Sequence, residues 1–170
     1  MVTKLDNIAE DVVQLLNREK MKLSTAESCT GGLISSEITA VSGSSDVFGF
    51  GFVTYANEAK NKLIGVPAET LSAYGAVSEQ TACAMAKGAK EVSGADIAVA
   101  VTGIAGPTGG TPDKPVGTVY IGLATKSGVF AKRYLFDGGL FPEAKDKREA
   151  IRYETAYTAL TIVKEELELN

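Results

Sequence analysis

The sequence predicts an α/β domain built on a mixed sheet, and three observations carry that prediction. Segments of helical periodicity alternate with short apolar runs along the chain. Residues 96–102 are almost wholly apolar, as expected of a central strand covered on both faces. Residues 116–125 and 129–136 read as two strands joined by Lys126-Ser127-Gly128, a tight hairpin that brings antiparallel pairing into the sheet. With 170 residues, one domain spanning residues 1–170 accounts for the whole chain.

The elements follow in order. Residues 5–20 place Leu5, Ile8, Ala9, Val12, Val13 and Leu16 at three-four spacing, an amphipathic helix that Thr3 can cap. Residues 21–26 form a short buried strand. Residues 31–41, with Leu33, Ile34 and Ile38 at roughly helical spacing, form a helix ending in the loop Ser42-Gly43-Ser44-Ser45. In residues 47–55, Phe48, Phe50, Phe52 and Thr54 alternate with Gly49, Gly51, Val53 and Tyr55, which predicts a strand with its aromatic residues on one face. A short helix over residues 57–64 carries Lys60 in its middle, and residues 67–75 are a connector with a helical turn. Ser78 caps an alanine-rich helix, residues 79–92, that stops at Gly94 and whose small side chains permit close packing. After the hairpin, residues 137–146 form a loop with Gly138, Gly139 and Pro142. A long helix over residues 147–169 follows, with Ala150, Tyr153, Tyr157, Leu160 and Leu167 as its inner stripe.

Composition removes several chemistries. The chain contains no histidine, so it can form no Ser-His-Asp triad, Cys-His dyad or histidine-bearing zinc site. A base working near neutral pH must be a lysine, carboxylate, tyrosine, thiolate or the amino terminus. Cys29 and Cys83 are too few for a disulfide framework, so both are expected as reduced thiols, Cys83 as a small buried residue. A net charge of −4 argues against nucleic-acid binding, which needs a broad basic face, but is compatible with a small phosphorylated ligand. Residues 1–11 hold no apolar leader core, and the apolar run over residues 97–101 is far short of the ~20 residues of a membrane span. No membrane association and a cytoplasmic location are therefore expected.

The chemistry concentrates in residues 24–32, Ser-Thr-Ala-Glu-Ser-Cys-Thr-Gly-Gly, a turn from strand to helix. Ser28, Cys29 and Thr30 are the nucleophile candidates. The free N–H groups and positive dipole end of the following helix favour a developing negative charge, and Gly31 and Gly32 let a ligand approach the backbone. The same pattern also suits a plain serine cap on a tight turn. Lys60 could reach Ser28 if the strand of residues 47–55 runs beside the first strand; otherwise it is a solvated helix lysine. The loop Gly103-Ile104-Ala105-Gly106-Pro107-Thr108-Gly109-Gly110 leaves the carboxyl end of the central strand, where ligands of open α/β sheets bind. It is neither a Walker A sequence nor a dinucleotide fingerprint, and its glycines either turn the chain or cradle a phosphate. Arg148 and Arg152 lie in the first turns of the terminal helix, where positive charge opposes the dipole. They imply an anion nearby or are ordinary surface arginines.

Five blocks, in order, give the sequence a resemblance. They are Thr25-Ala26-Glu27-Ser28-Cys29-Thr30-Gly31-Gly32; Gly51-Phe52-Val53-Thr54-Tyr55 with Asn57-Glu58-Ala59-Lys60; Gly75-Ala76-Val77-Ser78-Glu79; Thr102-Gly103-Ile104-Ala105-Gly106-Pro107; and Lys114-Pro115-Val116-Gly117-Thr118-Val119. From about Leu5 to Leu167 the chain resembles the carboxyl-terminal domain of the CinA family of competence/damage-inducible proteins, whose stand-alone members include nicotinamide mononucleotide amidases. The resemblance implies a three-layer α/β/α sandwich with a mixed, mostly parallel sheet, a homodimer, and hydrolysis of the carboxamide of nicotinamide mononucleotide without metal or cofactor. Residue by residue, it implies Ser28 as nucleophile and Lys60 as base, with Tyr55 and Thr102 ordering the dyad or substrate. Cys29, Thr30 and Gly31 would surround the oxyanion, and Gly103, Gly106 and Arg148 would hold the phosphate. Two departures stand out: an insertion through Phe141-Pro142 precedes Asp146-Lys147-Arg148, which could hand the phosphate to Arg152, and the molybdopterin-binding-like domain of longer relatives is absent. The competing expectations are a Cys29 nucleophile assisted by Glu27 or Lys60, and a nucleotide-binding regulatory or interaction module without turnover.

Overall fold

The computed structural model describes residues 3–169. Helix α1 (Lys4–Glu19) leads into strand β1 (Leu23–Glu27) and helix α2 (Leu33–Ala40). Strand β2 (Phe48–Val53), helices α3 (Asn57–Ile64), α4 (Ala68–Tyr74) and α5 (Glu79–Ser93), strands β3 (Ile97–Gly103), β4 (Thr118–Ala124) and β5 (Val129–Leu135), and helix α6 (Lys147–Glu168) follow. The strand order is β2-β1-β3-β4-β5. β1 pairs in parallel with β2 and β3, and the hairpin strands β4 and β5 complete the sheet antiparallel, so the sheet is mixed with a parallel core. Thr3 caps α1 in a reciprocal pair with Asp6, as its sequence position predicts.

The central strand sorts its residues by size rather than polarity. Ile97, Val99 and Val101 enter the apolar cluster formed with α1, α2 and α6. Ala98 and Ala100 face the other way, into a smaller cluster with Ile64 of α3 and Met85, Ala86 and Ala89 of α5. The result is three layers. On the second face the alanines let α5 lie unusually close: a Cβ on Gly122 of β4 would stand 2.4 Å from the Ala82 carbonyl, and one on Gly88 of α5 only 1.7 Å from the Ile64 carbonyl. Close contact at Gly88 fixes α3, and with it Lys60, against the sheet.

Three expectations change. The aromatic residues of β2 do not share a face, because the β1–β2 register skips a residue between the pairs Leu23–Phe48 and Ser24–Phe50. That bulge at Gly49 sends Phe48 into the α1/α2/α6 cluster and Phe52 into the α5 cluster. On α6, Tyr153 and Tyr157 are only partly buried. They form edge contacts, with ring centroids 5.7 and 6.1 Å away, to Phe141, so the insertion is anchored by its own buried aromatic residue. Cys83 is half-buried rather than buried. Among the described residues no helix is long and apolar enough to cross a membrane.

Candidate active site

β1 and β3 run parallel and end side by side, and the ladder continues one residue further when the Ser28 N–H donates to the Val101 carbonyl (3.0 Å). Ser28 therefore stands at the carboxyl end of the sheet. β2 lies beside β1 and delivers α3 to the same end. Lys60 is fully buried, and its Nζ lies 3.0 Å from Ser28 Oγ, 2.8 Å from the Thr54 carbonyl and 3.2 Å from the Tyr55 carbonyl. Burial lowers the Lys60 pKa, against a smaller opposing pull from Cys29. The amine donates to all three; once deprotonated it can keep both carbonyl contacts and turn its lone pair to the Ser28 hydroxyl proton.

The turn after β1 is held by a residue whose part the sequence did not reveal. Glu27, fully buried, accepts five hydrogen bonds. Its Oε2 takes Thr30 Oγ1 (2.6 Å) and the N–H groups of Gly32 (3.1 Å) and Ile34 (3.0 Å), while Oε1 takes the N–H and Oγ of Ser35 (both 2.8 Å). Leu33 N–H donates to the Thr30 carbonyl (3.2 Å). The leading N–H groups of α2 are thus consumed by a resident carboxylate and are not available to a substrate, contrary to the expectation from the helix dipole. Gly32, the N-cap at φ 101°, has no side chain to offer, and Glu27 supplies the missing acceptor from the preceding strand. An acidic residue closing a short strand, just before a Gly-Gly helix start with no capping side chain, is the signal that could have found it. Gly31 N–H is also committed, to the Ser28 carbonyl (3.1 Å). The N–H groups of Cys29 and Thr30 donate to no other residue among the described hydrogen bonds.

The other expected residues fall into place unevenly. The Cys29 side chain lies in the core cluster, and burial, reinforced by the charge of Glu27, pushes its thiol up to about 12. This burial weighs against Cys29 as the nucleophile. Tyr55 meets Lys60 through its carbonyl only; its ring is exposed, and its hydroxyl accepts from Arg148 Nη2 (3.2 Å). Thr102 is buried and donates to the Ala76 carbonyl (2.7 Å), and Lys114 Nζ donates to the neighbouring Val77 carbonyl, so Thr102 and Lys114 fasten the segment before α5. The Thr102 hydroxyl is thus committed to the backbone before α5.

The loop after β3 is built around glycines with no room for a side chain: a Cβ on Gly106, at φ 80°, would lie 2.5 Å from Val116 Cγ1, and one on Gly103 2.7 Å from Val119 Cγ2. Gly106 presents its carbonyl to Arg148 Nη1 (2.6 Å). Ala105, Pro107, Val116, Asp146, Lys147 and Arg148 line a cavity of ≈ 360 Å³ between this loop and the start of α6. Arg152 instead turns to the Ser28 turn and donates to the Thr30 carbonyl (2.8 Å). The insertion has therefore not displaced Arg148 from the loop, and the two arginines serve different parts of the site. Among the described residues no cluster of three or more His, Cys, Asp or Glu side chains could hold a metal ion.

Fold and site together define a three-layer α/β/α domain with a serine and a buried lysine paired at the carboxyl end of its parallel core. The model for the CinA C-terminal domain matches residues 5–167, and the chain belongs to that family. It is 54% identical over 161 residues to a CinA-like protein of Geobacter sulfurreducens, covering 94% of this chain and 37% of the relative. It is 51% identical over 168 residues to a putative competence-damage inducible protein of Symbiobacterium thermophilum, covering 94% and 38%. The chain thus spans well under half the length of these relatives. Among solved structures it superposes on the competence/damage inducible protein CihA of Agrobacterium tumefaciens with a TM-score of 0.88 at 42% identity, covering 98% of this chain and 96% of that one. A CinA superfamily protein of Escherichia coli gives 0.84 at 34%, covering 96% and 90%.

Proposed function

We propose that the domain hydrolyses the carboxamide of nicotinamide mononucleotide to nicotinate mononucleotide and ammonia. The observation that carries this reading is the 3.0 Å contact between Ser28 Oγ and a buried Lys60 whose other two partners are carbonyls. Burial lowers the pKa of this amine, and a neutral lysine is one of the bases open to a chain without histidine. The choice of substrate rests on the family resemblance, supported by the basic cavity beside the site.

Lys60 takes the Ser28 proton as Oγ attacks the carboxamide carbon. The oxyanion of the tetrahedral intermediate lies against the N–H groups of Cys29 and Thr30. Lys60, now an ammonium, returns its proton to the departing nitrogen, and ammonia leaves an acyl ester on Ser28. A water deprotonated by Lys60 then cleaves that ester to the nicotinate. Arg148 and Lys147, at the ≈ 360 Å³ cavity, hold the 5′-phosphate. The reaction runs in the cytoplasm and in a homodimer, the latter supported by Phe50, Val53 and Leu63, each about half exposed along β2 and α3.

Ammonia release from nicotinamide mononucleotide, set beside calorimetric binding of the same compound, tests the reading. Turnover supports it, and binding without ammonia makes the domain a nucleotide-binding module.

A further inference from the structure

Glu27 belongs to both halves of the candidate site. Its carboxylate gathers Thr30, Gly32, Ile34 and Ser35, closing a ring around the segment that carries Ser28. Its backbone carbonyl accepts the Thr54 N–H (2.8 Å), and the Thr54 carbonyl in turn accepts Lys60 Nζ (2.8 Å). The contacts continue behind the turn, where Thr25 Oγ1 and Ser35 Oγ share a 2.8 Å hydrogen bond. A buried anion on the N-terminus of a short helix, next in sequence to a nucleophile, is a costly device unless it secures geometry.

We propose that Glu27 is the positioning residue of the nucleophile turn: as the resident anion of α2 it holds Ser28, and the N–H groups of Cys29 and Thr30, in line with Lys60. This rests on the Ser28–Lys60 reading above. Both carboxylate oxygens are needed. A glutamine has one acceptor oxygen, and its amide group would face N–H donors on the other side. An aspartate keeps the charge but is one methylene shorter and cannot reach all five donors.

The test compares Glu27→Gln and Glu27→Asp with Ser35→Ala, which removes two hydroxyl contacts and leaves the charge. Two readouts are taken per folded molecule: the second-order rate of Ser28 modification by a fluorophosphonate, and kcat and KM for nicotinamide mononucleotide. Glu27→Gln is expected to slow modification and kcat by about a hundredfold, the scale of a small misplacement of reacting groups. Its KM should stay within about threefold of wild type, as for an interaction that matters only in the transition state. Ser35→Ala is expected to stay within about threefold in every parameter. If Glu27→Gln fails to fold, Glu27→Asp decides, and a folded Asp variant modified at the wild-type rate overturns the proposal. So does a folded Gln variant with wild-type modification and kcat. Wild-type protein that is modified at Ser28 but leaves nicotinamide mononucleotide intact overturns the substrate reading alone, and the modification rates still judge Glu27. Wild-type protein that is not modified overturns both.

Discussion

Lys60 Nζ sits 3.0 Å from Ser28 Oγ although helix α2 and the bulged edge strand β2 separate the two residues in the chain. The contact exists because β1 and β2 are parallel neighbours and because α5 approaches α3 closely enough, at Gly88, to press Lys60 into the interior.

The first prediction follows from the lowered pKa of that buried amine. Since deprotonation creates the base, kcat/KM should rise with pH through an apparent pKa below the ~10.4 of a free lysine. Stability moves with the same sign. Between the lowered folded value and the unfolded value, the unfolded chain keeps a proton that the folded chain has lost, so folding becomes more favourable as pH rises. Denaturant titrations of Lys60→Met beside wild type should therefore show an advantage for the Met variant that shrinks with rising pH. A gap independent of pH would mean that Lys60 titrates normally.

The packing at Gly88 gives a second prediction. A methyl group placed 1.7 Å from the Ile64 carbonyl has no soft side chain to displace, so α3 must move. Gly88→Ala should cost about 3 kcal/mol of stability, at the upper end for overpacking. It should also lower kcat even where the protein stays folded. Wild-type kcat in a folded Gly88→Ala variant would show that Lys60 does not depend on this contact.

The two arginines are expected to separate. Arg148 lies at the cavity, whereas Arg152 braces the nucleophile turn through Thr30. Arg148→Ala should damage nicotinamide mononucleotide turnover and leave nicotinamide riboside little affected, because the lost interaction is with the phosphate. Arg152→Ala should lower kcat for both substrates. The measurement is kcat/KM for each compound with each variant, and an Arg152 effect confined to the phosphorylated substrate would reassign the phosphate.

Much of this arrangement was legible in the residues themselves. Periodicity found α1, an unbroken apolar run found β3, and the Lys126-Ser127-Gly128 turn announced the antiparallel hairpin. The absence of histidine narrowed the base to few residue types, and the turn at Ser28 was visible as a hydroxyl-rich end of a buried strand. What pairwise pattern cannot encode is register. The bulge at Gly49 turned Phe48 to the opposite face from Phe50 and Phe52, and no local rule revealed it. Glu27 stayed hidden for a related reason: its partners lie three to eight residues ahead, across a turn whose shape the sequence does not state. Tyr55 and Thr102 were placed at the site through resemblance, yet their side chains serve Arg148 and Ala76.

The thiol next to the nucleophile gives a further check. With its pKa pushed up to about 12 and its side chain in the core, Cys29 should be dispensable for the chemistry. Cys29→Ala should retain activity within about tenfold, the loss coming from packing rather than mechanism. Abolished ammonia release from a folded Cys29→Ala enzyme would point to the thiol.

Ammonia release from nicotinamide mononucleotide by Lys60→Arg separates activation of Ser28 by a neutral Lys60 from any role of its charge. Arginine keeps the positive charge and much of the length but does not lose its proton in a protein. Lys60→Arg is expected to fall by about a thousandfold, to the level of Ser28→Ala and of the Ser28→Ala/Lys60→Ala double variant, since groups acting as one unit do not add. A Lys60→Arg enzyme that releases ammonia at the wild-type rate would contradict activation by a neutral Lys60.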